Sequence, residues 1–142
     1  MTTAPTSAAV TRTPQLLGQT VVVIGGSAGI GLETARHAHS EGADVVLTGR
    51  DPGRLEQAAR EVSARASDAF DADDATAVKR FFDGLPAPID HVLVAAYTRG
   101  SHGPMLDTPS DEVGQSVGRR VTQVLEIARN AAPKMRPAAP CC

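Results

Sequence analysis

The segment from Thr20 to Gly31 constrains this chain more than any other. Thr20-Val21-Val22-Val23-Ile24 is an unbroken β-branched run, followed directly by Gly25-Gly26-Ser27-Ala28-Gly29-Ile30-Gly31. A run without polar alternation suits burial on both faces, the condition of a central parallel strand. The glycines then lead into an amphipathic stretch, Leu32 to Glu41, closed by Gly42. A buried strand, a glycine turn and a helix in this order point to a layered α/β fold, because a parallel neighbour is reached only by a crossover.

The rest of the chain repeats the alternation. Ala43 to Thr48 predicts a second strand, with Asp44-Val45-Val46-Leu47 its clearest part. Asp51 is a good N-cap with Pro52 at the first helical position, and Leu55, Ala58, Ala59 and Val62 give the helix that follows an apolar face. Ser67-Asp68-Ala69-Phe70 has little β-propensity and reads as a short edge strand at best. Asp73 or Asp74 caps the next helix, which runs to about Asp83 with Val78, Phe81 and Phe82 inward and stops at Gly84-Leu85-Pro86. Asp90 to Ala96 is the fourth strand. After a loop containing Gly100, Gly103 and Pro104, Thr108-Pro109 opens a long helix. Its Val113, Val117, Val121, Val124, Leu125 and Ala128 lie on one stripe, while Gly114 and Gly118 weaken it locally. Residues 1–17 read as a disordered leader, residues 18–136 as one α/β domain, and residues 137–142 as an aberrant tail.

Composition closes off several functions. The formal net charge of −2 argues against a nucleic-acid binder, which needs a basic excess. There is no apolar run long enough to span a bilayer, so no membrane partner is expected. Cys141 and Cys142 are the only cysteines, which leaves no disulfide framework and no cysteine metal site and suits a cytoplasmic setting. His37, His39, His91 and His102 lack ligand spacing with carboxylates, so no metal is expected.

A glycine turn between a buried strand and a helix N-terminus is an anion cradle, since backbone N–H groups and the helix dipole point at one spot and missing Cβ atoms allow close approach. Gly25, Gly29 and Gly31 are spaced Gly-x-x-x-Gly-x-Gly, and with Ile30 and the preceding Val-Ile this resembles the short-chain dehydrogenase/reductase family. Thr48-Gly49-Arg50, Asp71, Ile89 to Val94 and Ala132-Pro133-Lys134-Met135 are similar to that family as well. One departure is Ile24, which stands where a Thr often precedes the first glycine. The resemblance implies a Rossmann-type doubly wound parallel sheet and an oxidoreductase that moves hydride between a nicotinamide dinucleotide and a carbonyl or alcohol. It implies a cofactor site at Gly25, Ser27, Gly29, Ile30, Gly31, Arg50, Asp71, Ala95 and Ala96. Asp71 is similar to the family residue that meets the adenine edge, although by itself it reads equally as a helix-capping acid. Gly49 stands where NAD-preferring members carry an acid, and Arg50 can pair with a 2′-phosphate, so NADP(H) is expected over NAD(H). The alternative for Arg50 is a surface arginine near Asp51.

Other positions depart from a working enzyme of that family. Its chemistry needs a Tyr whose hydroxyl is tuned by a Lys four residues on, but Tyr97 is followed at that spacing by Ser101, and Lys79 and Lys134 are preceded by Ala75 and Asn130. No catalytic residue is therefore assigned. Tyr97 also stands where the family has a glycine near the cofactor ribose, and Arg120 stands near the place of a structural Asn. Ala138-Ala139-Pro140-Cys141-Cys142 is what codons for Gly-Gly-Thr-Leu-Leu, the family's fifth strand, encode when read one base out of frame. The expectation is a partial fold, ending before the fifth strand, that binds the cofactor and meets a small-molecule substrate only in a full-length form. The alternative is a non-catalytic dinucleotide-binding or scaffold protein. The long helix commonly packs against a partner subunit in the family, so a homo-oligomer is plausible, and a fourth strand left as an apolar edge would favour self-association.

Overall fold

A computed structural model describes residues 14–97 and 104–137. Its elements are β1 (Thr20–Ile24), α1 (Gly29–Ser40), β2 (Asp44–Gly49), α2 (Pro52–Glu61), β3 (Ala66–Ala69), α3 (Ala75–Gly84), β4 (His91–Val94) and α4 (Ser110–Ala131). Short 3-10 turns at Met105–Asp107 and Ala132–Lys134 flank α4. The four strands form one parallel sheet in the order β3-β2-β1-β4. The alternating strands and helices match the expected Rossmann-type α/β fold. Among the described residues no helix is long and apolar enough to cross a membrane.

Burial explains why β1 carries no polar alternation. Val21 and Val23 face α1 and α2, packing with Ala35, Ala38, Leu55, Ala58 and Val62. Val22 and Ile24 face the other side, where they join Val78, Phe81, Phe82, Ile127 and Ala131 of α3 and α4. Both sides of the strand are core, so every position is apolar. The weak third strand is real and lies at the sheet edge, in register with β2 through Val46↔Ala66 to Gly49↔Ala69. Its polar, small residues are tolerated because an edge strand is only half enclosed.

The packed face of α4 is not its aliphatic stripe. Val113, Val117, Val121, Val124 and Leu125 are 39% to 58% exposed and Ala128 is exposed too, whereas Gln123, Ile127 and Ala131 are the buried positions. The helix is amphipathic, but it turns its aliphatic stripe outward and meets α3 and the sheet through Ile127 and Ala131.

At the two ends of the domain the chain folds back on it. Residues 14–17, placed in the leader by sequence, include Leu16, whose N–H donates to Glu41 O at 2.9 Å. After α4, Met135 forms a parallel bridge with Ile89, and the Ile89 N–H and C=O bond Lys134 O (2.8 Å) and Arg136 N (2.7 Å). The chain thus re-enters beside the lead-in to β4. His102, Cys141 and Cys142 and most of the segments 1–17 and 137–142 lie outside the described residues.

Candidate functional site

The sheet order places β1 between β2 and β4: the chain runs from β1 to β2 and β3 on one side and crosses back through α3 to β4 on the other, so a crevice opens at the C-terminal ends of these strands. The turn after β1 forms its floor. Gly25 (φ +90°) is pressed against the end of β4: a Cβ there would lie 2.5 Å from Ala96 N. A Cβ on Gly31 would lie 2.1 Å from Gly25 O, so α1 can start this close to the turn only without a side chain. Gly29 (φ +56°) faces open space. The turn is fastened to β2, because Gly25 N–H and Gly26 N–H both donate to Thr48 O, at 3.1 and 2.8 Å.

Helix capping separates α1 from its neighbours. Asp51 caps α2 through Arg54 N–H, and Asp74 caps α3 through Thr76 and Ala77 N–H. Ala28, the residue before α1, has no hydrogen-bonding side chain to cap it, and the first turn of α1 holds no acid. The positive end of this helix therefore opens onto the crevice unneutralised by any side chain, as an anion site requires.

Of the predicted residues, Gly25, Ser27, Arg50, Asp71, Ala95 and Ala96 line one groove of about 570 Å³, counted out to solvent. Gly29, Ile30 and Gly31 lie outside its lining; Ile30 is 80% exposed and Gly31 is buried beneath the turn. Arg50 is exposed on the rim, and among the described residues its guanidinium has no ion-pair partner. Asp51 does not engage it; that carboxylate accepts from Arg54 N–H at 2.9 Å instead. Asp71 Oδ1 accepts from Asp73 N–H at 3.0 Å, and its carbonyl accepts from Asp74 N–H. Asp71 therefore shapes the turn after β3, while the helix cap is Asp74.

The groove also holds Thr48, Phe70, Ala72 and Gln123, which sequence reasoning did not assign to it, and Tyr97, which it had set near the cofactor ribose, lies on the rim at 64% exposure. Gln123 lies off the aliphatic stripe of α4 and belongs to no motif. Its sequence signal was its place on the helical face shared by Ile127 and Ala131.

The groove has what an elongated anion needs. It offers the uncapped N–H groups at the start of α1 and the Arg50 guanidinium, while the Asp71 carboxylate, beside Phe70 and Ala72, suits a hydrogen-bond donor of the ligand rather than its charge. It lacks a lysine. Lys79 pairs with Asp83 at 2.5 Å, and Lys134 Nζ donates to the carbonyls of Asp83 (3.1 Å) and Leu85 (2.6 Å).

Residues 19–140 match the family model described as short chain dehydrogenase. The chain is 30% identical over 98 residues to the short-chain dehydrogenase/reductase ATR9 of Stachybotrys chlorohalonatus, covering 60% of this chain and 39% of the relative. It is 33% identical over 96 residues to human retinol dehydrogenase 11, covering 63% and 30% respectively. Among solved structures, the E. coli oxidoreductase yciK superposes with a TM-score of 0.74 at 22% identity, over 87% of this chain and 55% of that one. A short chain dehydrogenase/reductase family protein superposes with a TM-score of 0.71 at 33% identity, over 84% and 50%. The chain thus spans roughly half, or less, of the length of the proteins it matches.

Proposed function

We propose, from the premise that this chain belongs to the short chain dehydrogenase family, that it forms the NADP(H)-binding part of an oxidoreductase acting on a carbonyl or alcohol. When bound, the nicotinamide group supplies the hydride donor or acceptor. The chain's own residues bind and orient. The turn at Gly25, Ser27, Gly29, Ile30 and Gly31 and the uncapped N-terminus of α1 receive the pyrophosphate, Arg50 the 2′-phosphate and Asp71 the adenine edge, with Ala95 and Ala96 beside the nicotinamide ribose. The observation that carries this reading is the open start of α1 facing the groove that also holds Arg50, whose guanidinium has no ion-pair partner among the described residues.

Titration of the full chain with NADPH and NADH, followed by nicotinamide fluorescence, tests it. NADPH should bind more tightly by about tenfold or more, the scale of one charge-assisted pair, and Arg50→Ala should remove that difference. Equal affinity for the two cofactors in the wild type would sink the role given to Arg50.

Hydride transfer by this chain is not expected. Neither lysine stands by Tyr97 in sequence, and neither lines the groove. In an assay with a panel of small carbonyl compounds, binding without turnover is the expected result, and appreciable turnover would overturn it. The same observation favours, as a second reading, a non-catalytic dinucleotide-binding or scaffold protein. Loss of function on deleting this protein, with normal function restored by a folded variant that binds neither NADPH nor NADH, would favour the scaffold. Two further parts of the proposal are a cytoplasmic location, from the cysteine usage, and a homo-oligomer built on the exposed stripe of α4.

A further inference from the structure

Gln123 is 5% exposed and, with Thr48, is one of the two polar residues buried as a whole among the described residues. A buried amide is costly unless both ends are bonded, and here both are. Its Nε2 donates to Asp73 Oδ1 at 2.7 Å, and its Oε1 accepts from Arg120 Nη1 at 2.6 Å. The same Arg120 nitrogen also donates to the carbonyl of Ala96. Asp73 is delivered by the turn after β3, where its own N–H is held by Asp71. Ala96 is backed by Gly25, which leaves no room behind it for a Cβ. A continuous polar path therefore runs from the Asp71 wall of the groove, through two side chains of α4, to the Ala96 wall.

Resting on the cofactor reading of this groove, we infer that Gln123 and Arg120 are positioning residues that tie its two walls together and set its width. Packing alone does not call for an amide at position 123. An apolar side chain of equal length would continue the face made by Ile127 and Ala131, but it would release Asp73 and Arg120 from each other. A purely structural contact and a groove tie thus differ in outcome: the first changes melting, the second changes ligand affinity in the folded protein.

Gln123→Met keeps length and burial and removes both bonds. In the full chain it should melt close to wild type yet bind NADPH about tenfold more weakly. Gln123→Glu keeps the acceptor for Arg120 but sets a carboxylate against Asp73, and it should weaken binding similarly. Adding Asp73→Asn to Gln123→Glu restores the bond with donor and acceptor exchanged, because the amide introduced at position 73 can donate to the new carboxylate, so the double variant should recover most of the affinity. This swap decides the matter if Gln123→Met does not fold. Wild-type affinity in folded Gln123→Met, or no recovery in the folded double variant, overturns the tie. A wild-type chain that binds neither NADPH nor NADH overturns the cofactor reading instead.

Discussion

Single residues in the turn after β1 do separable jobs. Gly31 is required by contact, since a Cβ would lie 2.1 Å from Gly25 O, against backbone that cannot swing aside. Gly29 is required by conformation only: its φ is +56°, but nothing stands within 4 Å of a would-be Cβ. Gly31→Ala should therefore cost about 1–3 kcal/mol, the scale of overpacking, and distort the turn enough to weaken NADPH binding. Gly29→Ala should cost about 1–2 kcal/mol, the scale of left-handed strain. Urea melts of the two variants together with NADPH titrations check the split. A Gly31→Ala variant as stable as wild type would contradict the close approach.

Asp90 makes a second prediction at this scale. The Arg136 guanidinium bonded to it, and then the Thr20 N–H at 2.8 Å, hold its carboxyl below the ordinary carboxylate range. Because the folded-state value lies below the unfolded one, the stabilisation is complete above the ordinary carboxylate value and is lost as pH falls through the lowered folded value. Melting temperature should drop on acidification below about pH 4. Asp90→Asn should be less stable at neutral pH and show a shallower acid decline. An unchanged acid limb would show that Asp90 does not contribute it.

At the scale of elements, α4 shows most clearly what a sequence can and cannot disclose. Its existence was legible, since Thr108-Pro109 announced the start and apolar residues recurred at helical spacing. Its orientation was not. Two stripes of equal period run along it, one aliphatic and one of Gln123, Ile127 and Ala131, and burial went to the second, which seats Ile127 and Ala131 among Val78 and Phe82. Gly114 and Gly118, with nothing within 4 Å of either would-be Cβ, adjoin the outward stripe. The exposed valines and these two glycines are the ground for the homo-oligomer proposed above. Val117→Glu with Val121→Glu should leave monomer stability within about 0.5 kcal/mol, as exposed substitutions do, while converting a wild-type dimer to monomer in sedimentation velocity. A wild type that sediments as a monomer at all concentrations would refute the assembly.

The strands were legible to the extent that burial dictates their chemistry. β1 and β2 lie inside the sheet with both faces packed, and their β-branched runs followed from that. Ala66–Ala69 carries almost no intrinsic signal, because its place in the sheet comes from pairing with β2 and from the chain direction imposed by α2. The same division holds in the groove. Glycines and Arg50 could be found by motif, but Phe70, Ala72 and Gln123 enter it through tertiary placement of β3 and α4.

For the whole molecule, the groove brings together the ends of β1, β2, β3 and β4 with one face of α4, so a ligand bound there bridges both layers of the sandwich. It adds to a link already made by β1 and β2, whose alternate residues enter the apolar clusters on opposite faces of the sheet. Binding should consequently stabilise the fold as a unit. At a free NADPH concentration of about 100 times Kd, linkage gives about 2.7 kcal/mol. For a domain of this size that corresponds to a rise in Tm of about 5–10 °C. Differential scanning fluorimetry across a cofactor series checks this, with NADH expected to give the smaller shift at equal concentration and Arg50→Ala expected to bring the two shifts together. If NADPH at saturating concentration left Tm unchanged, the groove would not be where the cofactor binds, whatever the loop's sequence resembles.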